Sequence, residues 1–367
     1  MRVGLNLIFL VPGKTGGMEV YARELIRRLA RNDELDLVAF VNREAAKDDF
    51  GVRQVVVPVN ATNRVQWVRG EQLHLPSLAA AEGCEIVHSL GSTAPLRGSF
   101  RRVTTIHDLL YKLVPDAHFG LHGLGMRVLV PSAARRSHRI LVDAGSTAND
   151  LQQNLGVAAA KIDVVPLGVS PVPSVIPTPE PELRATLELG DRPLLLSVSA
   201  KRPHKNLLRL IEAHARLTPR PVLVLPGYPT PHEADLRARA SELGTDGDVR
   251  FPAWVSDADL EGLYAAAEVL VFPSLYEGFG LPVLEAMSRG VPVATSASGA
   301  IAEVAGDAAS LFDPTDVTAI TSAVQRLLDD PAERERLRVA GRARAATFTW
   351  ERTAELTAAA YARSLAA

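Results

Sequence analysis

PSLYEGFGLPVLEAMSRGVPV, Pro273 to Val293, follows directly on a short apolar run, Glu268 to Phe272 (EVLVF). A run of that length bounded by turn residues reads as a strand buried on both faces of a parallel sheet. Gly278 and Gly280 then mark a loop, and Pro282 opens a short helix. Proline there has its φ preset and gives up an amide that would be unpaired in the first turn. Gly290 stops the helix and Val291 to Ala294 starts the next strand. Strand, glycine loop and helix N-terminus in that order leave free amides and the positive end of the helix dipole facing the loop, which suits an anion. Two carboxylates flank that positive end, Glu277 before it and Glu285 in the first helical turn, with seven residues between them. Amides that meet a phosphate, beside carboxylates that accept bonds from sugar hydroxyls, point to a sugar nucleotide. Spacing alone leaves a second reading open, in which Glu285 favours the dipole, Glu277 is a solvated loop charge and the glycines are turn residues.

The whole run EGFGLPVLEAM resembles the donor-binding segment of glycosyltransferase family 4, with the family's Glu-x7-Glu pair at Glu277 and Glu285. The resemblance implies an α/β protein of the GT-B fold. That fold has two Rossmann-like domains facing each other across a cleft, and a C-terminal helix that returns to the first domain.

Composition is compatible with this. A chain of 367 residues is long enough for two domains that each bury a core. With 47% hydrophobic and 22% charged residues it is globular, and disorder is excluded. The net charge of −2 offers no argument for nucleic acid as a partner. The single cysteine, Cys84, excludes an intrachain disulfide, fits a reducing compartment and reads as core packing beside a strand. No apolar run approaches the roughly 20 residues that span a bilayer. The opening MRVGLNLIFLVPG runs straight into GKTGGMEVYARELIRRLA without a small-residue cleavage site. It reads as the first strand of a sheet and not as a signal peptide, so a cytoplasmic protein is expected.

Strand and helix patterns alternate throughout, as parallel sheets covered by helices require. Val3 to Leu10 is the first expected strand, and the loop PGKTGG leads to a helix from about Met18 to Arg31. No Gly-Lys-Ser/Thr follows, so this is not a Walker loop. It is either a plain strand-to-helix turn or a place where a ligand approaches backbone. The resemblance favours the latter and puts Gly17 beside the acceptor and donor phosphates. A helix is expected over Asn63 to Ala81, and a strand from Arg102 ends at His107 and Asp108. A lone histidine is commonly a packed residue; the resemblance instead brings this one, in its HDL context, to the donor sugar. The helix from about Leu121 to Ser137 has an apolar face with Leu124, Val128 and Leu129 and ends in the basic RRSHR. It is an ordinary solvated helix or a patch that meets anionic lipid at the inner membrane surface. Ser146 is expected to cap the following helix. Six of the 17 residues in PLGVSPVPSVIPTPEPE are proline, a stiff linker that puts the boundary near residue 172. The expected parts are 1–171 for the acceptor, 172–348 for the donor, and a returning helix over 349–367, with closure about Pro171 on donor binding.

In the second domain a strand over Leu194 to Ser199 leads to AKRPHKNLL, with Arg202 and Lys205 at the tip of the loop. Relatives carry glycine and arginine at this strand end, where this chain has Ser199 and Ala200. Their Pro-Arg-Lys-Asn reads here Pro203-His204-Lys205-Asn206. Lys205 therefore takes over the family's lysine, and the arginine's place is open to Arg202, Lys201 or a protonated His204. Pro226-Gly227 stands where relatives have Ala-Gly, and the loop at Trp254 and Val255 is the one that holds the nucleobase through backbone groups in them. Asp257-x-Asp259 and Asp246-x-Asp248 look like the metal-binding pair of the other large glycosyltransferase fold. Ser256 with Asp259 is instead a helix cap, and Asp246-Gly247-Asp248 is turn chemistry. No metal site and no cofactor are expected.

The resemblance implies a retaining transferase that moves a sugar from a nucleoside diphosphate, GDP-mannose or a UDP-sugar, to a glycan or lipid-linked acceptor. In that scheme Lys205, a neighbouring cation and the amides near Leu281 stabilise the leaving diphosphate. Glu285 holds the ribose; Glu277 with the Gly278 loop and the Phe279 and Gly280 amides holds the donor sugar, and His107 presses on it. Two other classes stay open: a sugar-nucleotide binding protein without turnover, and a phosphorylase or epimerase on the same fold.

Overall fold

The computed structural model describes residues 1–114, 120–170 and 175–366, and the side chains of all of these except 120–124. Its strands are β1 Arg2–Leu7, β2 Asp36–Val41, β3 Arg53–Val56, β4 Ile86–Ser89, β5 Arg101–Thr105, β6 Arg139–Val142, β7 Ile162–Val164, β8 Leu194–Leu196, β9 Val222–Val224, β10 Val249–Arg250, β11 Val269–Phe272, β12 Val293–Ser296 and β13 Ser310–Phe312. They form two sheets, in the orders β3-β2-β1-β4-β5-β6-β7 and β10-β9-β8-β11-β12-β13. Every pairing is parallel. That pattern is the doubly wound one, in which the chain builds outward in both directions from a central switch point.

The chain divides into two compact units, residues 1–168 with 349–367, and residues 169–348. The helix Trp350–Ala366 belongs to the first unit and packs on the helix Gly17–Leu29 and on β5 and β6. Gly168 lets this return happen: a Cβ there would stand 2.3 Å from the Trp350 amide nitrogen. Pro171, expected as the hinge, lies outside the described residues, as does the side chain of Leu124.

Several strands end sooner than their apolar runs. Val3 to Leu10 was expected and β1 stops at Leu7, yet Ile8 and Leu10 are fully buried. Apolarity marks what is inside, not what is hydrogen-bonded into the ladder. Of Leu194 to Ser199, only Leu194–Leu196 is strand, although the Ser197 and Ser199 amides still donate to the Val224 and Pro226 carbonyls at 3.0 and 3.3 Å. The helix over 63–81 is interrupted by a π-helical turn, Gly70–His74, between Arg64–Arg69 and Leu75–Ala81. Gly70 sits in that turn because a Cβ would come within 2.8 Å of the Val59 side chain. Ser146 does not cap its helix: the cap of Gly145–Leu155 is Ala144, in extended conformation, and Ser146 lies in the first turn. Ser256 does cap Asp257–Ala266, its hydroxyl accepting from the Asp259 amide at 3.1 Å. Cys84 is buried among Phe40 and Val87.

Candidate active site

In the second unit the sheet switches direction between β8 and β11. The loops leaving these neighbouring strands diverge at their carboxyl ends, where open α/β sheets receive ligands. Lys205 comes from the loop after β8, in a single 3-10 turn, Pro203–Lys205, closed by Asn206 in the left-handed region. Asn206 is buried and donates to the Pro273 and Pro314 carbonyls at 3.0 and 2.7 Å, which pins this loop to the one after β11. Glu277 comes from that second loop. The Lys205 ammonium and the Glu277 carboxylate meet at 2.5 Å, and the ammonium lies 5.6 Å from the centre of the Phe272 ring. Two residues assigned to one ligand by resemblance thus stand together across the switch point, each satisfying the other's charge.

The helix Leu281–Ser288 starts beside them. Gly280, at φ 113, makes the turn into it, a backbone conformation that side chains resist. The amides of Phe279, Gly280 and Leu281 donate to no partner among the described residues. The Phe279 ring itself is buried, edge-on to Phe348 at 5.9 Å, so only its backbone is available for a ligand. Glu285 is the fifth residue of the helix and so lies in its second turn, not the first as expected. Its Oε2 accepts the Tyr264 hydroxyl at 3.0 Å. Burial pushes its pKa up, against the pull of Arg289 and that hydroxyl. Arg289 bonds to Glu261, with Nε at 2.8 Å, and lies 4.9 Å over the Tyr264 ring. Glu285 is therefore a fixed, dipole-distant carboxylate held by groups from another helix, which a mere dipole partner does not need.

The other donor-side residues divide. Gly227 (φ 143) has backbone so close to its neighbour that a Cβ would stand 2.0 Å from the Ser199 carbonyl oxygen. Its amide donates to the Ala253 carbonyl at 2.9 Å, and its own carbonyl accepts from Lys201 at 2.7 Å. Gly227 is thus a joint between loops. Lys201 is fully buried, reaches the Pro252 carbonyl at 3.1 Å and pairs with Glu233 at 3.5 Å, so it is spent on the same joint. Of the three cations considered for the missing arginine, Lys201 drops out, His204 is buried and Arg202 is exposed. Val255 is half-buried and follows Trp254, which is 66% exposed and tilted against Tyr228 at 5.2 Å. Neither aspartate pair is arranged for a metal. Asp259 accepts from Thr178 at 2.7 Å and from Ser256 at 2.8 Å, and Asp248 pairs with Arg192 at 2.5 Å and Arg220 at 3.1 Å. Among the described residues no group of three or more His, Cys, Asp or Glu side chains is placed to hold a metal ion.

In the first unit the switch lies between β1 and β4. Gly17 is exposed at the start of its helix, preceded by Gly16 at φ 65. His107 follows β5 and is buried: Nδ1 meets the Asp143 carboxylate at 2.7 Å, and Nε2 donates to the Leu90 carbonyl at 3.0 Å. The Tyr21 ring stands edge-on to it at 5.0 Å. Burial lowers the His107 pKa, but Asp143, by charge and hydrogen bond, and the Leu90 carbonyl more than offset this and raise it above the ordinary value. Nearby His88 is pushed down to about 3 by burial, then by the charge of His107. Both nitrogens of His107 are thus occupied, Nδ1 by Asp143 and Nε2 by the Leu90 carbonyl.

Sequence reasoning missed Asp143, which fixes His107, and Glu71. The Glu71 carboxylate, carried inward by the π-helical turn, accepts from Asn6 at 3.0 Å and Thr93 at 2.8 Å at the carboxyl ends of β1 and β4. Burial pushes its pKa up to about 7. An acidic residue inside an apolar helix, straight after a glycine, was the available signal.

Residues 15–172 match the family model described as Glycosyltransferase Family 4, and residues 180–344 that of Glycosyl transferases group 1. The O-antigen chain mannosyltransferase B of Escherichia coli is 34% identical over 269 residues, 71% of this chain and 70% of that protein. A GDP-mannose-dependent alpha-(1-6)-phosphatidylinositol monomannoside mannosyltransferase of Mycolicibacterium smegmatis is 28% identical over 90% of both chains. Other curated mannosyltransferases match over less of their length, 56% in one case. Among solved structures, the sucrose-phosphate synthase of Thermosynechococcus elongatus superposes with a TM-score of 0.79 at 23% identity, covering 100% of this chain and 99% of that one. The chain belongs to glycosyltransferase family 4 and is a glycosyltransferase of the GT-B fold.

Proposed function

We propose that the protein is a retaining mannosyltransferase, moving mannose from GDP-mannose to a glycan or lipid-linked acceptor in the synthesis of a cell-surface polysaccharide or glycolipid. The observation that carries this reading is the meeting of Lys205 and Glu277 across the β8/β11 switch point, beside the open amides of the Leu281–Ser288 helix. A diphosphate arriving there finds an ammonium and backbone donors already aimed, and electrostatic stabilisation of a leaving group is worth most when its donors need no rearrangement. Lys205 then exchanges the Glu277 carboxylate for phosphate oxygen, which frees Glu277 to accept bonds from sugar hydroxyls. Glu285, steadied by Tyr264, takes the ribose hydroxyls. Arg202, the one exposed cation of the same loop, is assigned to the diphosphate in place of the family's arginine. His107 is given to the donor sugar by resemblance, its ring fixed by Asp143 and the Leu90 carbonyl. The mannose assignment rests on the names of the two mannosyltransferase relatives.

Incubation with GDP-mannose, UDP-glucose and a panel of glycan acceptors tests the reading. Transfer from GDP-mannose with retention at the anomeric carbon is expected. Hydrolysis alone, or transfer only from a UDP-sugar, overturns the donor assignment. Turnover is expected to survive exhaustive chelation, since Asp259 and Asp248 are committed to a helix cap and to two arginines. Loss in EDTA that manganese or magnesium restores would refute this. Glu285→Ala is expected to weaken GDP-mannose and free GDP alike, by about 1.5–3 kcal/mol for a hydrogen bond to a charged group. Calorimetry showing unchanged GDP affinity in the folded variant would remove Glu285 from the ribose.

A further inference from the structure

The helices before and after β11 each place two polar residues one turn apart, Glu261 with Tyr264 and Glu285 with Arg289. Residues three and four apart share a helix face, and here the two faces meet. Tyr264 donates to Glu285 Oε2 at 3.0 Å, and Arg289 Nε donates to Glu261 Oε2 at 2.8 Å. The Arg289 guanidinium lies 4.9 Å from the centre of the Tyr264 ring, and its Nη1 reaches the Glu285 carbonyl at 3.0 Å. The Arg289 side chain is 10% exposed and that of Glu261 5%. An ion pair so far from water is weak evidence for stability, because desolvation offsets its attraction. Its place beside Glu285 gives it another use, since two carboxylates share one arginine. Arg289 favours the ionised form of Glu285, the Tyr264 hydroxyl does the same by its hydrogen bond, and Glu261 opposes it. Burial pushes the Tyr264 pKa up, so its hydroxyl remains a donor. The helices Gly299–Ala305 and Pro331–Ala345 also pack on Leu281–Ser288. Of their charged side chains Glu303 is exposed, and Arg338 and Arg342 lie at Gly290, past the end of that helix. Lys205 and Glu277 pair with each other.

We propose that Tyr264, Arg289 and Glu261 are positioning residues for the donor: Tyr264 fixes the Glu285 carboxylate for the ribose, and the Arg289–Glu261 pair sets the pH range over which that carboxylate binds it. The proposal rests on the assignment of Glu285 to the ribose. Ribose hydroxyls donate, and they bond more strongly to an ionised acceptor than to a neutral one. Donor affinity is therefore full while Glu285 is ionised and is lost as pH falls through its pKa. Arg289 extends that range toward acid and Glu261 shortens it.

The test titrates the full chain with GDP by isothermal calorimetry from about pH 8 to about pH 4.5, the range in which a raised glutamate loses its charge. Native and variant proteins meet the same GDP, so the titration of its own terminal phosphate cancels between them. Arg289→Gln is expected to weaken GDP at least about threefold toward the acid end, because Glu261 then acts on Glu285 unopposed. Glu261→Gln is expected to strengthen it there by at least about threefold, because Arg289 then serves Glu285 alone. Tyr264→Phe is expected to weaken GDP at least about threefold at every pH, through the lost hydrogen bond. Both charge variants break the same buried pair, so a purely structural pair would lower melting temperature and GDP affinity in both, without the opposite signs. Should either fold poorly, Arg289→Gln with Glu261→Gln leaves neither charge buried alone. That double variant is expected to weaken GDP toward the acid end, since Arg289 outweighs Glu261 at Glu285. Changes of the same sign in the two single variants, or an unchanged pH profile in the double variant, would overturn the proposal. Glu285→Ala that weakens GDP while the charge variants keep the native profile removes the three positioning residues and leaves the ribose assignment. Glu285→Ala without effect on GDP removes both.

Discussion

Lys205→Ala is expected to lower kcat/KM for sugar transfer by about 10²–10³-fold, the cost of removing one preorganised donor from a developing negative charge. The lysine sits on a pinned turn and meets Glu277 at 2.5 Å, so it is held in place before any ligand arrives. Its loss also leaves Glu277, only 15% exposed in its side chain, without a counter-charge. Removing one partner of a buried pair costs about 3–5 kcal/mol. Partial solvent access to both groups reduces that here, so a smaller fall in melting temperature is expected. Glu277→Gln in the same background should restore stability, because the orphaned charge is gone, while turnover stays low. This separates the roles: stability follows the pair, and catalysis follows the ammonium. Lys205→Arg is expected to recover little, since a planar fork does not reproduce a compact point charge at this spot. Full turnover in Lys205→Ala, or a double variant that regains it, would show that the lysine only balances Glu277. Steady-state kinetics with GDP-mannose, alongside GDP binding and thermal melts, supply the readouts.

How legible the site was depended on whether its parts are contiguous. The run from Glu277 to Glu285 announces itself because loop, glycine turn and helix start follow one another along the chain, and Gly280 is needed for its φ of 113. Lys205 was equally visible, carried by a four-residue pattern. What holds these residues was not. Tyr264, which fixes Glu285, comes from a helix before β11, and Asp143 reaches His107 from the end of β6. Nothing local in the sequence marks either as a partner, because the contact exists only once parallel strands lie side by side. Gly227 and Lys201 show the reverse. Both stand in functional-looking loops, yet a 2.0 Å limit at Ser199 and two carbonyl bonds commit them to packing. Glu71 was hidden because a π-helical turn rotates it inward, and helical periodicity assumes that no such turn is present. The strand ends were overdrawn for a simpler reason: buried apolar loop residues such as Ile8 and Leu10 resemble ladder residues.

Asp143→Asn is expected to lower the pKa of His107, because burial continues to disfavour the imidazolium once the charge that offsets it is gone. The groups facing the ring are Asp143 at 2.7 Å, the Leu90 carbonyl, the edge-on Tyr21 and, by charge, Asp108. Neutral His88 adds no positive charge above about pH 3. The sign of the pH dependence follows from the raised value. A folded-state pKa above that of the unfolded chain, about 6.5 for histidine, means the native state binds the proton more tightly. The resulting stability is fully present below about pH 6.5 and is lost as pH rises through the folded-state pKa. The stability gap between the native protein and Asp143→Asn should therefore be widest on the acid side, while Asp143 remains ionised, and narrow toward alkaline pH. His107→Ala leaves a buried carboxylate with no partner and should cost about 3–5 kcal/mol, more than Asp143→Asn, whose amide keeps a hydrogen bond to the ring. Imidazole NMR titration reads the pKa directly, and chemical denaturation across pH reads the gap. In kinetics, Asp143→Asn is expected to lower kcat while GDP affinity holds, because the diphosphate alone lacks the sugar that His107 is proposed to meet. An unchanged His107 titration in Asp143→Asn, or a gap independent of pH, would show that the pair is held by its hydrogen bond and not by its charge. Equal losses of turnover and of GDP affinity would place His107 in the fold and take it out of the reaction.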